Sequence, residues 1–332
     1  MSKTLLIDAN SIFHAAQHAV KLSSGELETQ AVFGAIKTAR ELRVVYPDFN
    51  QLWCHDTKAT WRYNLHPEYK SNRHQNAKMT TARDALNEQR PYIKRALSSL
   101  GLKQVTVNEY EADDIIGHLS EKLAKSSGGE VGIITGDRDL LQLVKPNVWW
   151  RDIRDDARLV TMKNFFDYTG CKTPYGFLET KCLQGDSSDC ISGVGGIGEK
   201  GAPEFIAEFG SVRAFWQMCD DRDFIPTKKP HVNLWKGVSP LTKEEWIKTY
   251  DGDPEDEKSL KEHMSKWVGQ GRKIFNRNMR MMQLLKVAKP DPKEVRMITG
   301  KLDVDAFAEL CEELSFGSIL KNLDNFCNAF KE

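Results

Sequence analysis

The sequence predicts an open, mostly parallel α/β sheet with its functional edge at the carboxyl ends of the strands. Three observations predict it. Short apolar runs alternate with stretches of helical apolar spacing through the first half of the chain. Nearly every early apolar run ends in an acidic residue (LLID, LWCHD, EYEADDII, GIITGDRD, LQGDSSD). Beyond about residue 156 the pattern turns mainly helical. Alternating strands and helices build a sheet covered on both faces, and ligands of such sheets bind beyond the strands' carboxyl ends.

Residues 3–8 read as a buried strand, followed by a helix opening near Ser11. Residues 28–46 carry helical spacing through Val32, Ile36, Leu42 and Val45 and stop at Pro47. A second strand covers 51–56. The next segment, 57–100, is basic, broken by Pro67 and then rich in Asn, Gln and Thr, with a helix expected over 80–100. A strand at 104–107, a helix at 111–125 and a strand at 131–135 complete the α/β part. A glycine-rich turn then opens a helix within 192–210. Residues 220–268, charged and punctuated by proline, read as an insertion, and 272–287 is a helix, basic at first and then apolar. Pro290 and Pro292 mark a junction before two short helices at 304–314 and 319–330. The expected organisation is therefore 1–185, 186–289 and 290–332.

At 332 residues, 40% hydrophobic and 28% charged, the chain reads as a globular protein with a substantial core. It has no apolar run near the roughly 18 residues a membrane span needs, and MSKTLLIDAN is too short in apolar residues for a signal peptide. Seven cysteines without a CxxC pair fit a reducing cytoplasm and argue against zinc and disulfides. Six of the histidines, at 14, 18, 55, 66, 74 and 118, show no HxH or HExxH spacing and read as packing or surface groups. Lysine plus arginine and aspartate plus glutamate balance at 47 each, but the distribution is uneven. Lys58, Arg62, Lys70, Arg73, Lys78, Arg83, Arg90, Lys94 and Arg95 crowd one segment against Glu68, Asp84 and Glu88. A basic segment beside an acidic pocket suits a phosphate-rich partner; the bland alternative is a solvated helix face.

The acids are Asp8, Asp56, Glu111, Asp113, Asp114, Asp137, Asp139, Asp186 and Asp189. Carboxylates gathered without basic partners repel and are costly to desolvate, so such a cluster implies divalent cations. All-oxygen ligation suits Mg²⁺ or Mn²⁺, and the sequence points to a two-metal site for phosphate chemistry. Acids in a helix's first turn can be mere dipole partners, but three in EYEADDII exceed that need. A cap explains Asp137 or Asp139, not both. Gly193, Gly195, Gly196 and Gly198 let backbone amides approach a phosphate at a helix start. The fit of 196–201 to G-x-G-x-x-G follows a polar loop, not a strand, which argues against a dinucleotide site, and Glu199 breaks P-loop spacing. In HPEYKSNR, Lys70 and Arg73, three apart on a helix, would share a face and could clamp one phosphate. Tyr69, more than Trp61, offers a stacking surface for an unpaired base.

Taken in order, IDAN, HPEYKSNR, EYEADD, TGDRD and GDSSDCISGVGGIGEKGA resemble the 5′-nuclease family of flap endonucleases and 5′→3′ exonucleases, particularly its phage-encoded branch. The resemblance covers about 3–287. It implies a PIN-like nuclease domain, a helical arch over 57–100 and a helix-three-turn-helix region for duplex DNA. By position, Asp8, Asp56, Glu111, Asp113 and Asp114 match a first metal cluster, and Asp137, Asp139, Asp186 and Asp189 a second, for two Mg²⁺ with Mn²⁺ able to substitute. Lys70 and Arg73 match the catalytic basic pair at the arch base. Arg62 and Tyr69 are expected to touch DNA with them, as are Gly193, Gly195, Gly196, Gly198 and Lys200 of the hairpin, where the family often holds a monovalent cation such as K⁺. Two departures stand out: Pro203 early in the helix after the hairpin, and the insertion at 220–268.

The resemblance implies a monomeric cytoplasmic enzyme of DNA replication or repair. It would cut 5′ flaps, nicks and 5′ ends, extending to RNA–DNA hybrids, beside partners such as a single-strand-binding protein. Two alternatives compete. GDSSD and LLID resemble motifs of haloacid-dehalogenase-type phosphatases, but Asn10 stands where that chemistry wants a second aspartate. A non-catalytic module that grips branched DNA is the other.

Overall fold

The computed structural model describes residues 3–74, 77–126, 129–155, 158–236 and 271–331, with side chains described except at 74, 77–79 and 236. The chain divides into two compact units, 1–168 with 284–332, and 169–283. The first boundary thus falls ahead of the expected 185, and the carboxyl-terminal segment, expected to stand apart, belongs to the first unit.

The first unit is built on a seven-stranded sheet. Its strands are β1 (Lys3–Asp8), β2 (Phe49–His55), β3 (Lys103–Val107), β4 (Glu130–Ile134), β5 (Val148–Arg151), β6 (Leu159–Val160) and β7 (Val295–Thr299). Their spatial order is β7-β3-β2-β1-β4-β5-β6. The five central strands run parallel, and both edge strands are antiparallel additions. β5, β6 and β7 were not expected from sequence. The burial of Leu5, Leu6 and Ile7 at 0% exposure explains why β1 is an unbroken apolar run: a parallel strand covered on both faces has no polar side.

Helices α1 (Ala9–Gln17), α2 (Gln30–Val45), α3 (Thr60–Leu65), α4 (Ala77–Ser99) and α5 (Ala112–Lys125) connect these strands. One core joins Ile12 and Phe13 of α1, Val32 and Ile36 of α2, and Ile93 and Leu97 of α4 to Trp53 of β2. Phe307 and Leu310, from a returning helix over Val304–Glu313, complete it. Burying each such side chain stabilises by about 1.5–3 kcal/mol, which is why the carboxyl-terminal segment docks here. α5 packs on β1 and β4 with Ile115 and Ile116 buried, outside that cluster.

The chain leaves β1 on one side for β2 and β3, then returns to the other side of β1 for β4 and β5. The reversal creates a crevice between β1 and β4 at their carboxyl ends. Register carries the acids there: Asp8 lies opposite Cys54, two residues short of Asp56, and Ile7 opposite Ile134, just before Thr135.

The second unit is helical. Its first helix, α6 (Pro174–Gln184), has Pro174 at its start and Thr173 Oγ1 accepting from the Gly176 N–H at 3.0 Å. A two-stranded hairpin pairs Gly185–Asp186 with Ile191–Ser192. α7 (Gly201–Phe209), α8 (Val212–Asp220), α9 (Lys229–Lys236) and α10 (Gly271–Met282) follow. Phe205, Phe209 and Phe215 pack edge-on around His231, and Phe224 packs edge-on against Phe209 and Phe215. Pro203 sits within the first turn of α7, where the missing N–H costs nothing. The expected insertion, 220–268, begins at the last residue of α8 and contributes α9, and its part from 237 onward lies outside the described residues.

Candidate active site

Asp8 ends β1 and caps α1, accepting from the Ser11 N–H at 3.1 Å and from Thr135 Oγ1 at 2.7 Å. It is 5% exposed. Burial first, and then the neighbouring Asp56, push its carboxyl up to about 6. Asp56, just beyond β2, takes the Ala112 N–H on Oδ1 at 2.6 Å and the Asn10 amide on Oδ2. Burial raises it too. Asp113 is pushed well above the carboxylate range by burial and by Asp137, Asp8, Asp56 and Glu111 around it. Four carboxylates from four chain segments therefore sense one another at the crevice.

The loop after β4 is pinned from several sides. Thr135 Oγ1 accepts from the Asp137 N–H at 2.9 Å, and Ser11 Oγ accepts from the Gly136 N–H at 2.7 Å. Arg154 Nη2 donates to the Gly136 carbonyl at 3.0 Å, and Trp150 Nε1 to the Asp137 carbonyl at 2.9 Å. Asp137 is exposed, and its Oδ1 accepts from the Asp139 N–H at 2.7 Å.

Not all of EYEADD faces this pocket. Successive residues on a helix point about 100° apart, and Asp113 and Asp114 have different partners. Asp114 turns to Arg62, which donates to both its oxygens at 2.7 and 2.6 Å, the two side chains being 4% and 0% exposed. Arg62 Nη1 also reaches Glu111 Oε2 at 3.1 Å. Burial lowers the tendency of Arg62 to stay charged, but Asp114 outweighs it and raises its pKa. Asp114, expected as a metal ligand, thus fills a buried ion pair. Arg62, expected on DNA, is enclosed.

Tyr69 is corrected likewise. It is 3% exposed, donates its hydroxyl to Glu111 Oε2 at 2.9 Å and packs edge-on against Tyr63, so it offers no open stacking face. Lys70 adopts a left-handed backbone, φ 57°, uncommon for a non-glycine residue, and its Nζ meets Glu111 Oε1 at 2.6 Å. Burial pushes Glu111 up, but Lys70 and Arg62 more than offset it and hold the carboxyl below its ordinary value. Arg73 follows in a 3-10 turn over Ser71–His74 and is exposed, so Lys70 and Arg73 do not share one α-helical face.

Among the described residues, no three His, Cys, Asp or Glu side chains are gathered as a metal cage. Glu111 and Asp114 rest on cations, and Asp56 on two N–H donors. Asp8, Asp56 and Asp113 remain desolvated and mutually repelling, an all-oxygen donor set that fits a hard divalent cation.

In the second unit, Asp186 Oδ1 accepts from Ser188 N at 2.8 Å and Ser188 Oγ at 2.6 Å, closing the hairpin turn, and Asp189 is half-buried beside it. A Cβ on Gly193 would stand 2.1 Å from the Gln184 carbonyl oxygen, so only glycine fits. Gly196 needs its φ of 90°. The Gly195 carbonyl accepts from Asn233 Nδ2 at 3.2 Å, while Gly198 faces open space and Lys200 is exposed. Asn278, 0% exposed, donates to the Cys182 and Ser192 carbonyls at 2.8 and 2.9 Å, fastening the hairpin to α10.

Sequence reasoning missed Thr135, Arg154, Asn278 and the pair Asn10–Arg90. Asn10 was legible inside IDAN but served only to weigh against a phosphatase; Thr135, Arg90 and Asn278 carry no local signal because these partners lie 80 or more residues away, and Arg154 reaches back 18 residues to Gly136.

An α/β sheet with carboxylates converging at its switch point places a ligand site at the strands' carboxyl ends. The 5′-3′ exonuclease N-terminal resolvase-like domain matches residues 3–173, and the chain belongs to that family. It is 32% identical over 225 residues to DNA polymerase I of Bacillus subtilis, 66% of this chain but 25% of the polymerase. It is 35% identical over 185 residues to a 5′-3′ exonuclease of Streptomyces coelicolor, 50% of this chain and 57% of that protein. The chain thus spans about a quarter of the length of the polymerase it matches. Its fold is shared by the bacteriophage T5 D15 flap endonuclease, solved as a pseudo-enzyme-product complex with DNA and metal ions, at TM-score 0.61 and 18% identity over 98% of this chain and 99% of that one. The phosphatase alternative falls with this family placement.

Proposed function

We propose that this chain is a divalent-metal-dependent 5′ nuclease that selects DNA by structure. One observation supports it above the others: burial, with Asp137, Asp8 and Asp56 around it, pushes the Asp113 carboxyl up at the carboxyl edge of the sheet, burial and Asp56 push up Asp8, and Lys70 lies near Asp56. Asp8, Asp56 and Asp113, with Asp137 and Asp139, would hold two Mg²⁺, and Mn²⁺ would substitute. Asp186 and Asp189 are carried over as ligands on sequence pattern alone. The bound ions would supply an activated water and stabilise the departing 3′ oxygen. Hydrolysis would break the P–O3′ bond and leave 5′-phosphate and 3′-hydroxyl ends.

Glu111 holds the Lys70 ammonium in place, and Lys70, with Arg73, would neutralise charge developing on the scissile phosphate. Arg62, paired with Asp114, supports Glu111 from behind. In the second unit, the backbone of 193–198, with K⁺ bound, and Lys200 would grip duplex phosphates without reading bases. Substrates would be 5′ flaps, nicks and 5′ ends, with RNA–DNA hybrids among them, in replication or repair, alongside a single-strand-binding protein. The reading carries with it a cytoplasmic monomer. All seven cysteines are free, and among the described residues no helix is long and apolar enough to cross a membrane.

End-labelled flap, nicked, single-stranded and RNA–DNA substrates, digested with and without Mg²⁺, test this. Junction-proximal cleavage that needs the metal is expected, with Asp137→Asn keeping flap binding and losing cleavage. Metal-independent cutting, or full activity in Asp137→Asn, overturns it.

A further inference from the structure

Arg90 is a basic residue in α4 that the proposed chemistry leaves unused. Its Nη2 donates to Asn10 Oδ1 at 2.7 Å, and Asn10 Nδ2 donates to Asp56 Oδ2. Its Nε donates to Asn87 Oδ1 at 3.1 Å, so the guanidinium is steadied from its own helix. Arg90 is half-buried, and desolvation lowers its pKa against the pull of Asp56.

We propose that Arg90 is a positioning residue, acting through Asn10 to orient the Asp56 carboxylate for a divalent cation. The inference rests on the metal-dependent reading of this site. A guanidinium only donates and a carboxylate only accepts, so an amide between them has one consistent orientation. Arg90 takes the oxygen end of Asn10, which commits the NH₂ end to Asp56. The Ala112 N–H holds the other Asp56 oxygen at 2.6 Å. Two donors from different elements thus set the plane of the carboxylate, leaving its remaining lone pairs for a cation. Without Arg90 the amide is free to rotate, and Asp56 keeps one fixed donor. Partners that orient a ligating carboxylate typically matter about 10–100-fold in metal affinity.

The sign of the effect separates this role from a bystander's. A positive charge that merely sat nearby would repel a cation, so its removal would tighten metal binding. A positioning residue predicts weaker binding. The experiment measures Mn²⁺ affinity of the full chain without DNA, by electron paramagnetic resonance of free Mn²⁺, for wild type, Arg90→Met, Asn10→Ala and the double variant. Methionine keeps the apolar stem; Arg90→Gln is the second variant should melting curves show Arg90→Met misfolded. Each single change is expected to weaken Mn²⁺ about tenfold, and the double variant no further, as links of one relay are not additive. The Mg²⁺ concentration for half-maximal flap cleavage should rise by the same factor, most of the rate returning at saturating Mg²⁺. Flap affinity in EDTA should be unchanged.

Unchanged or tighter Mn²⁺ binding in Arg90→Met overturns the proposal, and so do additive losses. Weaker flap binding with intact Mn²⁺ affinity also overturns it and makes Arg90 a phosphate contact. Absence of Mn²⁺ binding and cleavage in wild type would instead sink the nuclease reading on which the proposal rests.

Discussion

Replacing Asp8 with asparagine should alter the stability of the metal-free protein in a way that grows with pH and reverses when metal is added. Asp8 is buried, and its carboxyl titrates near 6 in the folded chain against 3.8 when free. The folded state therefore binds the proton more tightly. The protonated form's contribution is fully present below about 3.8, declines as pH rises, and is gone above about 6. The difference of 2.2, from 6 minus 3.8, corresponds to about 3 kcal/mol at neutral pH. Between pH 4.5 and 7.5 the swing is about 2 kcal/mol, because part of the cost is already incurred at the lower pH. Asparagine carries no charge and escapes this term. Its altered bond to Thr135 adds an offset that does not vary with pH.

The wild-type profile alone would mislead. His55, buried and held down to about 4 by desolvation, works with the opposite sign and removes stability as pH falls from 6.5 through 4. The difference between Asp8→Asn and wild type cancels His55. The assay is thermal melting in EDTA at pH 4.5, 6.0 and 7.5, repeated with 10 mM MgCl₂ as a working condition of about that strength. In EDTA the variant should gain on wild type by roughly 4–8 °C across the range, at about 2–4 °C per kcal/mol. With Mg²⁺ at pH 7.5 wild type should lead, since only it keeps the full ligand set. A difference in EDTA that stays flat with pH would refute the argument that Asp8 is desolvated and repelled by its neighbours.

Three further outcomes follow from particular contacts. Arg62→Met should cost about 3–5 kcal/mol by stranding buried Asp114, and adding Asp114→Leu should recover much of it, read by denaturant melts; a double variant no better than the single one contradicts the enclosed pair. Lys70→Ala should slow flap cleavage at least about 100-fold while weakening flap binding little, as expected for a group that acts on developing charge; equal losses would make Lys70 an anchor only. Gly193→Ala should lower the melting transition of the second unit by about 1–3 kcal/mol because its Cβ meets the Gln184 carbonyl, and an unchanged transition would show that the hairpin relaxes freely.

Much of the site was legible because its chemistry is written locally. An aspartate closing an apolar run lies at a strand's end, as with Asp8, Asp56 and Asp137, and Asp113 opens the helix that follows another strand, so parallel strands bring all four to one edge. Glycines that admit no side chain mark the 193–198 hairpin in the same way. The resemblance rested on these blocks, and the family match agrees. What remained illegible was pairing. Charge in the sequence shows that Arg62, Lys70 and Arg90 are basic, not that each turns inward to Asp114, Glu111 and Asn10. Tyr69 reads as a stacking platform until Glu111 is placed over its hydroxyl.

By itself, then, the sequence determined the strand-and-helix alternation, the acidic edge and the family, since these follow from apolar periodicity and from residue types in order. Tertiary structure alone decided which acids are left to repel one another and which are neutralised, where β7 and the last helices dock, and that Arg90 reaches Asp56 through an amide. Those outcomes depend on contacts across 80 residues of chain between Arg90 and Asn10, and on still longer ones where β7 sets Val295 against Val107, and there burial and Coulomb energy are set by distance in space.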